Sequence, residues 1–220
     1  SFFRFLHYRE HTAVDLSSAV PTVAHWRMSH LPKHHPAEAV KKVLTECNRA
    51  APGGRRNYAI LLLLARLGLR ASEIRTLQLE DVDWTNARLT IRSRKGQGWA
   101  RLPLPADVGQ AMAAYLQDRP SCECRNVFVR LTAPHTQLAN AAVVSNIVRA
   151  AIEHAGINAP RKGAHVFRHS LATEMLRQGA TLDEIGQVLR HKDPDTTAIY
   201  AKVDLTALRR LAVALPGGVR

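Results

Sequence analysis

Gly-Ala-His-Val-Phe-Arg-His-Ser, at residues 163–170, opens the stretch of sequence that decides the fold. His165 and Arg168 stand three positions apart, so on a helix they share one face with Cβ atoms about 5–6 Å apart. Apolar residues recur at a spacing of four, which predicts a buried stripe on the same helix. They are Phe167, Leu171 and Met175.

The next segment predicts a second helix followed by a tight turn. Gly179 is typical of a helix end, and Thr181 with Glu184 predicts a capping box that opens the next helix. That helix places His191 at its C-terminal end, and a short helix after the turn carries Tyr200. The sequence therefore directs two imidazoles, a guanidinium and a phenol towards one place.

These side chains together suit attack on a phosphodiester without a metal ion. A guanidinium offers a planar pair of donors that matches two non-bridging phosphate oxygens. An imidazole exchanges protons near neutral pH, and a phenol can act as a covalent nucleophile. A single His or Tyr on a helix is usually structural, so the interpretation depends on the combination.

Residues 163–200 resemble the C-terminal motifs of the tyrosine recombinase family, which includes phage integrases and Xer-type recombinases. The family pattern is His-x-x-Arg, then Leu-Gly-His, then a tyrosine nine positions after that histidine. The matching residues are His165 and Arg168, then Leu189-Arg190-His191, then Tyr200, at the same spacing of nine. Arg190 stands where the family often has glycine, which bears on the geometry of the loop rather than on the side chain of His191.

The composition favours a polyanionic partner. The chain of 220 residues has 31 lysines and arginines against 18 acidic residues, a net charge of +13 and a pI near 10.5. Such a charge favours nucleic acid or an anionic membrane surface. Because no apolar run approaches the ~20 residues of a spanning helix, we expect DNA rather than a membrane.

The cysteines do not predict a metal site. Cys47 lies in a helix pattern, and Cys122 and Cys124 lie in a polar connection with His135 some way on. A zinc site would have four ligands at a closer, recognised spacing. We therefore expect no metal site, and reduced thiols in a cytoplasmic setting. The resemblance implies that the protein needs no cofactor and is bacterial and nucleoid-associated.

Residues 1–35 are predicted to be the end of an upstream domain followed by a linker, and the resemblance implies that this domain is a core-DNA-binding domain. The aromatic segment at residues 2–8 is too short to bury its own face, and the chain opens on Ser1 without a methionine. Three prolines and little periodicity follow. A helix beginning near Pro36 is expected to open a catalytic domain at residues 36–220.

The most apolar segment, residues 56–69, predicts a helix at the centre of the core. Gly68 would end this helix and leave Arg70 at the start of the next. The family carries its first catalytic arginine in a Gly-Leu-Arg-x-Ser-Glu motif, which residues 68–73 reproduce. The resemblance implies that Arg70 is catalytic and that Glu73 holds it or a neighbouring backbone group.

A small three-stranded antiparallel sheet is predicted from alternating residues. Residues 87–94 and 99–104 form a hairpin around a turn, and residues 82–84 add the third strand. In the family the catalytic lysine lies on this hairpin, and Lys95 matches it. A short strand at residues 127–129 and further helices within 106–117 and 136–155 complete a mainly α fold. The resemblance implies that this is the fold of a tyrosine recombinase catalytic domain.

A set of polar side chains is expected to contact DNA. Phosphate contacts from such residues position a protein rather than specify a sequence. The set comprises Arg92, Arg94, Arg101, Asn146, Arg149, Arg161, Lys162 and His169.

The resemblance implies site-specific cutting and rejoining of DNA without metal or ATP. Tyr200 would attack the scissile phosphate and form a 3′-phosphotyrosyl linkage with release of a 5′-hydroxyl. The other implied roles are phosphate binding by Arg70 and Arg168, proton acceptance by His165, proton donation by Lys95, and a hydrogen bond from His191 to the phosphate or the nucleophile.

Two other functions fit the same residues. A type IB topoisomerase uses the same constellation as a monomer, whereas a recombinase pairs two sites and usually assembles four protomers. A catalytically silent DNA-binding module is the third interpretation. An amphipathic tail helix at about residues 204–215 is predicted either to dock on a neighbouring protomer or to pack on its own domain.

Overall fold

The computed structural model describes residues 2–14, 16–19, 34–92, 98–159, 162–191, 193 and 195–203. It divides into two compact units, Ser1–His30 and Leu31–Arg220. The first unit contains helix α1 (Phe2–Tyr8), none of whose residues is buried, and a 3₁₀ turn at Leu16–Ser18. Among the described residues, none of the helices combines the length and the apolar character needed to cross a membrane.

The second unit is mainly helical, with one small sheet. Its elements, in chain order, are α2 (Ala37–Thr45), α3 (Pro52–Leu67), α4 (Ala71–Thr76), a 3₁₀ turn at Leu79–Asp81, β1 (Val82–Asp83), β2 (Arg88–Arg92), β3 (Trp99–Pro103), α5 (Ala106–Gln117), α6 (Ala141–His154), α7 (Ala164–Arg177), α8 (Leu182–Leu189), α9 (Asp195–Ala198) and a 3₁₀ turn at Ile199–Val203. The predicted fold class, mainly α with a three-stranded antiparallel sheet, is confirmed.

Helix α3 forms the centre of the core. Every residue from Ala59 to Leu64 is at most 2% exposed, so the helix is surrounded as its apolar sequence predicts. It begins at Pro52, four residues before the predicted start, because proline is well tolerated in a first turn. Gly68 ends it at φ +56°, and a Cβ there would lie 2.7 Å from Leu189 Cδ2. Glycine is therefore required for both conformation and space.

The sheet has the order β1-β2-β3 with antiparallel pairing throughout. Leu89 and Ile91 of β2 point into the core. The alternate residues of the hairpin point outwards, where Arg92 pairs with Trp99 and Thr90 pairs with Arg101. This alternation gives the sheet one apolar face and one basic, aromatic face.

The predicted strand at residues 127–129 is wrong. The segment makes only isolated bridges, between Gln78 and Asn126 and between Val129 and Gln137. The Arg119 guanidinium instead donates to the carbonyls of Asn126 and Val127, at 2.9 and 3.2 Å. The Arg119 side chain thus occupies backbone carbonyls with which a neighbouring strand would otherwise pair.

Helices α7 and α8 pack together and are closed by α9 and the 3₁₀ turn. The predicted capping box is confirmed, since Thr181 Oγ1 accepts from Glu184 N–H at 3.2 Å and Thr181 N–H donates to Glu184 Oε2 at 2.7 Å. A second apolar cluster fills the space between these elements. It consists of Ala172, Ile185, Leu189 and Tyr200.

Candidate active site

The site lies where α4, α7, α8 and the 3₁₀ turn meet. Arg70 precedes α4, Arg168 and His169 lie on α7, His191 follows α8, and Tyr200 lies on the turn. The end of α3 at Gly68 brings the first of these segments against the others. Residues far apart in sequence thereby surround one small volume.

Arg168 is the buried cation of the site. It is 7% exposed, and its two Nη groups donate to the backbone carbonyls of Gly68 and Leu189. Burial, and then the charges of Arg70 and Arg190, lower the pKa of its guanidinium to about 10. It is still charged at neutral pH, and it ties the end of α3 and the end of α8 to α7.

Glu73 holds two arginines. Its Oε1 accepts from Arg70 Nη1 at 2.8 Å, and its Oε2 accepts from the Arg70 backbone N–H at 2.7 Å and from Arg190 Nη2 at 2.9 Å. Burial raises the pKa of this carboxyl, but the charge of Arg190 and the hydrogen bonds from Arg70 outweigh it and the pKa is lowered. With Arg168 alongside, three cations face one carboxylate, so the site is electropositive.

Arg70 is positioned to meet an anion. Its side chain is 43% exposed although Glu73 anchors it, and its Nη2 also donates to the Arg190 carbonyl at 3.2 Å. A guanidinium has five N–H groups, so donors remain for a phosphate.

Arg190, at the position where the resembled family often has glycine, is in the left-handed conformation at φ +55°. This conformation is unfavourable for a residue with a Cβ. Its guanidinium reaches Glu73 and the carbonyl of Val188, at 2.9 and 3.0 Å. Arg190 therefore adopts the left-handed backbone conformation that glycine favours, and its side chain adds a positive charge to the site.

Tyr200 is buried at 1% exposure, with its hydroxyl 2.7 Å from Nδ1 of His169. Its ring stacks on His191, with centroids 6.4 Å apart and an interplanar angle of 6°. Burial raises the pKa of the phenol to about 12, although the charge of Arg168 opposes the shift. The phenol is therefore protonated at neutral pH, and its attack requires removal of the proton.

His191 is held by the segment that carries the tyrosine. Its Nδ1 lies 2.7 Å from Thr197 Oγ1, and its backbone N–H donates to the Gly186 carbonyl at 2.9 Å. Burial, and then the charges of Arg168 and Arg70, lower the pKa of the imidazole to about 4. The ring is neutral at pH 7 and lies beside Tyr200.

The sequence-predicted proton acceptor, His165, lies one turn away from the histidine that contacts the phenol. His165 is exposed in the first turn of α7, and its ring meets His169 edge-on at a centroid distance of 5.9 Å. Sequence reasoning placed His169 among the DNA contacts. The contact joins residues 31 positions apart, and no local pattern in the sequence indicates it.

The predicted DNA-contacting residues lie on several surfaces. Arg92 and Arg101 lie on the outer face of the sheet, where Arg92 Nε donates to Asp81 at 2.7 Å and Arg101 stacks over Trp99 at 4.5 Å. The others within the described ranges are Asn146 and Arg149, exposed on α6, and Lys162, which pairs with Glu153 at 3.0 Å. Arg94, Lys95, Arg161 and the tail at 204–215 lie outside the described residues.

Comparison with known proteins identifies the family to which the chain belongs. Residues 35–206 match the phage integrase family. The chain is 48% identical over 218 residues to y4rA of Sinorhizobium fredii (strain NBRC 101917 / NGR234), assigned as an integrase/recombinase, covering 99% of this chain and 53% of that protein. It is 31% identical over 210 residues to the tyrosine recombinase XerA of Thermococcus onnurineus (strain NA1), covering 96% of this chain and 70% of XerA.

The fold has close structural counterparts. The crystal structure of the XerH site-specific recombinase bound to its palindromic difH substrate, a post-cleavage complex, matches with a TM-score of 0.72 at 23% identity, over 83% of this chain and 53% of XerH. The chain belongs to the phage integrase family, and its fold is that of a tyrosine recombinase catalytic domain. It spans about half the length of the first two curated relatives.

Proposed function

We propose that this chain cuts and rejoins DNA at specific sites through a covalent 3′-phosphotyrosyl intermediate on Tyr200. The observation that carries the proposal is a buried phenol, hydrogen-bonded to an imidazole and beside the Arg168 guanidinium, in a site with surplus positive charge. Membership of the phage integrase family supports this chemistry rather than another use of the same residues.

The phosphate would be bound by Arg70 and Arg168. Arg70 is anchored by Glu73 but partly exposed, and Arg168 is fixed by two backbone carbonyls. Donors held in this way need no rearrangement as charge develops on the non-bridging oxygens of the transition state. Each charge-assisted hydrogen bond to those oxygens would contribute about 1.5–3 kcal/mol.

The remaining roles are supported by the surroundings of the histidines and, for Lys95, by the family resemblance alone. His191 is neutral and stacked beside Tyr200, which suits it to hydrogen-bond the phosphate or the nucleophile. Lys95 would protonate the leaving 5′-oxygen. His165 is exposed in the first turn of α7, and the resemblance implies that it is the proton acceptor. Because the phosphotyrosyl linkage conserves the phosphodiester bond energy, an incoming 5′-hydroxyl reverses the step without ATP.

The partner would be double-stranded DNA, engaged by several protomers. The net charge of +13 favours a polyanion, and the XerH counterpart is bound to its difH substrate. We propose a tetramer on paired sites, with the tail after residue 203 exchanged between protomers. The outer face of the sheet would add phosphate contacts through Arg92 and Arg101.

The test is a suicide DNA substrate that traps the covalent adduct. The wild-type chain should form the adduct in excess EDTA, and Tyr200→Phe should abolish it while binding the same DNA with unchanged affinity, since only the phenolic oxygen is lost. An adduct on the Tyr200→Phe variant would place the nucleophile elsewhere. Relaxation of supercoiled DNA by a monomer at unpaired sites would favour the topoisomerase interpretation.

A further inference from the structure

One contact at the centre of the site has no role in the assignment made from sequence. The hydroxyl of Tyr200 lies 2.7 Å from Nδ1 of His169, an imidazole that the sequence places among residues facing DNA. His169 is only half-buried, whereas Tyr200 is 1% exposed. The nucleophile thus already has a hydrogen-bond partner before any substrate binds.

We propose that His169 accepts the phenolic proton of Tyr200 as the oxygen attacks phosphorus, and returns it on religation. The inference rests on the proposed function of the site. Its geometry is a hydrogen bond within the 2.5–3.0 Å range expected for a hydroxyl donor. His165 meets the His169 ring edge-on, at a centroid distance of 5.9 Å. In this role the neutral ring carries its own proton on Nε2, and Nδ1 accepts from the hydroxyl.

The charges around His169 make it a proton acceptor whose basicity rises when substrate binds. Burial, and then the charges of His165, Arg168 and His34, lower the pKa of the imidazole to about 4, so Nδ1 is unprotonated at neutral pH. A bound phosphodiester adds negative charge beside Arg168, and the transition state adds more. Both oppose the cations that lower the pKa, so the ring becomes more basic at the step that releases the proton.

The bonds and protons balance over the step. The phenolic O–H bond breaks, its proton moves to Nδ1 of His169, and the P–O bond to Tyr200 forms. The bond from phosphorus to the 5′-oxygen breaks, and that oxygen takes a proton from Lys95. Religation runs these transfers backwards, so neither an oxidant nor a metal ion is needed.

His191, the other imidazole beside the phenol, has a different hydrogen-bond partner. Its Nδ1 is occupied by Thr197 at 2.7 Å, and its ring stacks on the tyrosine ring. The two histidines therefore contact different parts of Tyr200, the hydroxyl for His169 and the ring for His191, and receive different roles. His169 accepts the phenolic proton. His191 packs on the tyrosine ring and hydrogen-bonds the phosphate.

The His169→Asn substitution separates proton transfer from the positioning of the phenol. An Asn side chain places its amide near the position of Nδ1, so His169→Asn keeps a hydrogen bond to the phenol but cannot take the proton. Single-turnover cleavage of a suicide substrate by His169→Asn and His169→Ala should be slowed roughly 10²–10⁴-fold, the usual effect of losing a general base. DNA affinity and urea midpoint, measured on the same preparations, should stay close to wild type for His169→Asn.

Two chemical rescues provide matched controls. Incorporating fluorinated tyrosine lowers the phenol pKa and should restore much of the cleavage rate of His169→Asn, because less proton transfer is then required. A substrate with sulfur at the bridging 5′ position should rescue Lys95→Ala and leave His169→Asn slow, since sulfur leaves without a proton. His165→Asn, changed on the same helix, should not respond to fluorotyrosine.

The outcomes separate this inference from the proposed function. Cleavage by His169→Asn within a few-fold of wild type, with His169→Ala slow, would show that the contact only positions the phenol and would overturn the inference. If fluorotyrosine rescues His165→Asn and not His169→Asn, then His165 is the proton acceptor and the inference is overturned. No adduct from the wild-type chain would overturn the proposed function itself, and the inference with it.

Discussion

Replacing Arg190 should give the opposite order of alanine and glycine from the one found in a helix interior, because this residue ends α8 in the left-handed conformation. Residue 190 is at φ +55°, in the left-handed region. A residue with a Cβ pays roughly 1–2 kcal/mol in that conformation, and glycine does not. Both Arg190→Gly and Arg190→Ala lose the same hydrogen bond to Glu73, so their difference isolates the backbone. Arg190→Gly should therefore be more stable than Arg190→Ala by about 1–2 kcal/mol.

The comparison with wild type follows from the same contacts. Losing the charge-assisted hydrogen bond to Glu73 costs about 1.5–3 kcal/mol, which the relaxed backbone of glycine largely offsets. Wild type and Arg190→Gly should then lie within about 1 kcal/mol of each other, and Arg190→Ala should lie below both. Arg70 keeps its own hydrogen bonds to Glu73 in both variants.

Urea denaturation curves measure these differences when the slopes agree. Gln187, exposed in the interior of α8, supplies the matched control. There Gln187→Ala should be more stable than Gln187→Gly by about 0.5–1 kcal/mol, the ordinary helix preference. If alanine is as stable as glycine at position 190, the residue is not held in the left-handed conformation and the reasoning fails.

Four further predictions concern stability and cleavage. Arg168→Lys should cost about 1–3 kcal/mol in urea denaturation, because one ammonium cannot satisfy both of the buried carbonyls that the guanidinium bonds; an unchanged midpoint would contradict this. Lys95→Ala should slow single-turnover cleavage roughly 10²–10⁴-fold, and a bridging 5′-sulfur should restore it, unless another residue is the acid. Deleting residues 204–220 should weaken multi-protomer complexes in mobility shifts while binding to one half-site persists; unchanged complexes would assign the tail to its own domain. Because the pKa values of His169 and His191 are lowered from 6.5 to about 4, the unfolded chain binds more protons between those values. The free energy of unfolding should therefore be largest above pH 6.5 and fall as the pH drops towards 4, and His169→Asn should reduce that slope.

Local sequence indicated the helices and some of their ends, although α3 begins four residues before its predicted start. Three features were predictable because each depends on neighbours within a few positions. They are the capping box at Thr181, the glycine that ends α3 and the burial of α3 on nearly all sides. The sheet was predictable for the same reason, since a hairpin pairs segments that are adjacent in the chain. The segment at residues 127–129 was predicted wrongly because Arg119 bonds the carbonyls of Asn126 and Val127 and Arg56 bonds that of Val129, and side-chain competition leaves no periodic pattern.

The sequence by itself also determined the reactive residue types, and only the tertiary structure decided which of them touch. Helix geometry places His165 and Arg168 on one face, because they stand three positions apart. The family resemblance singles out His191 and Tyr200. It does not indicate that the phenol meets His169 or that Arg190 shares Glu73 with Arg70. Those contacts join segments 31 and 117 positions apart, and they exist only because Gly68 and the turn after α8 bring the ends of separate helices together.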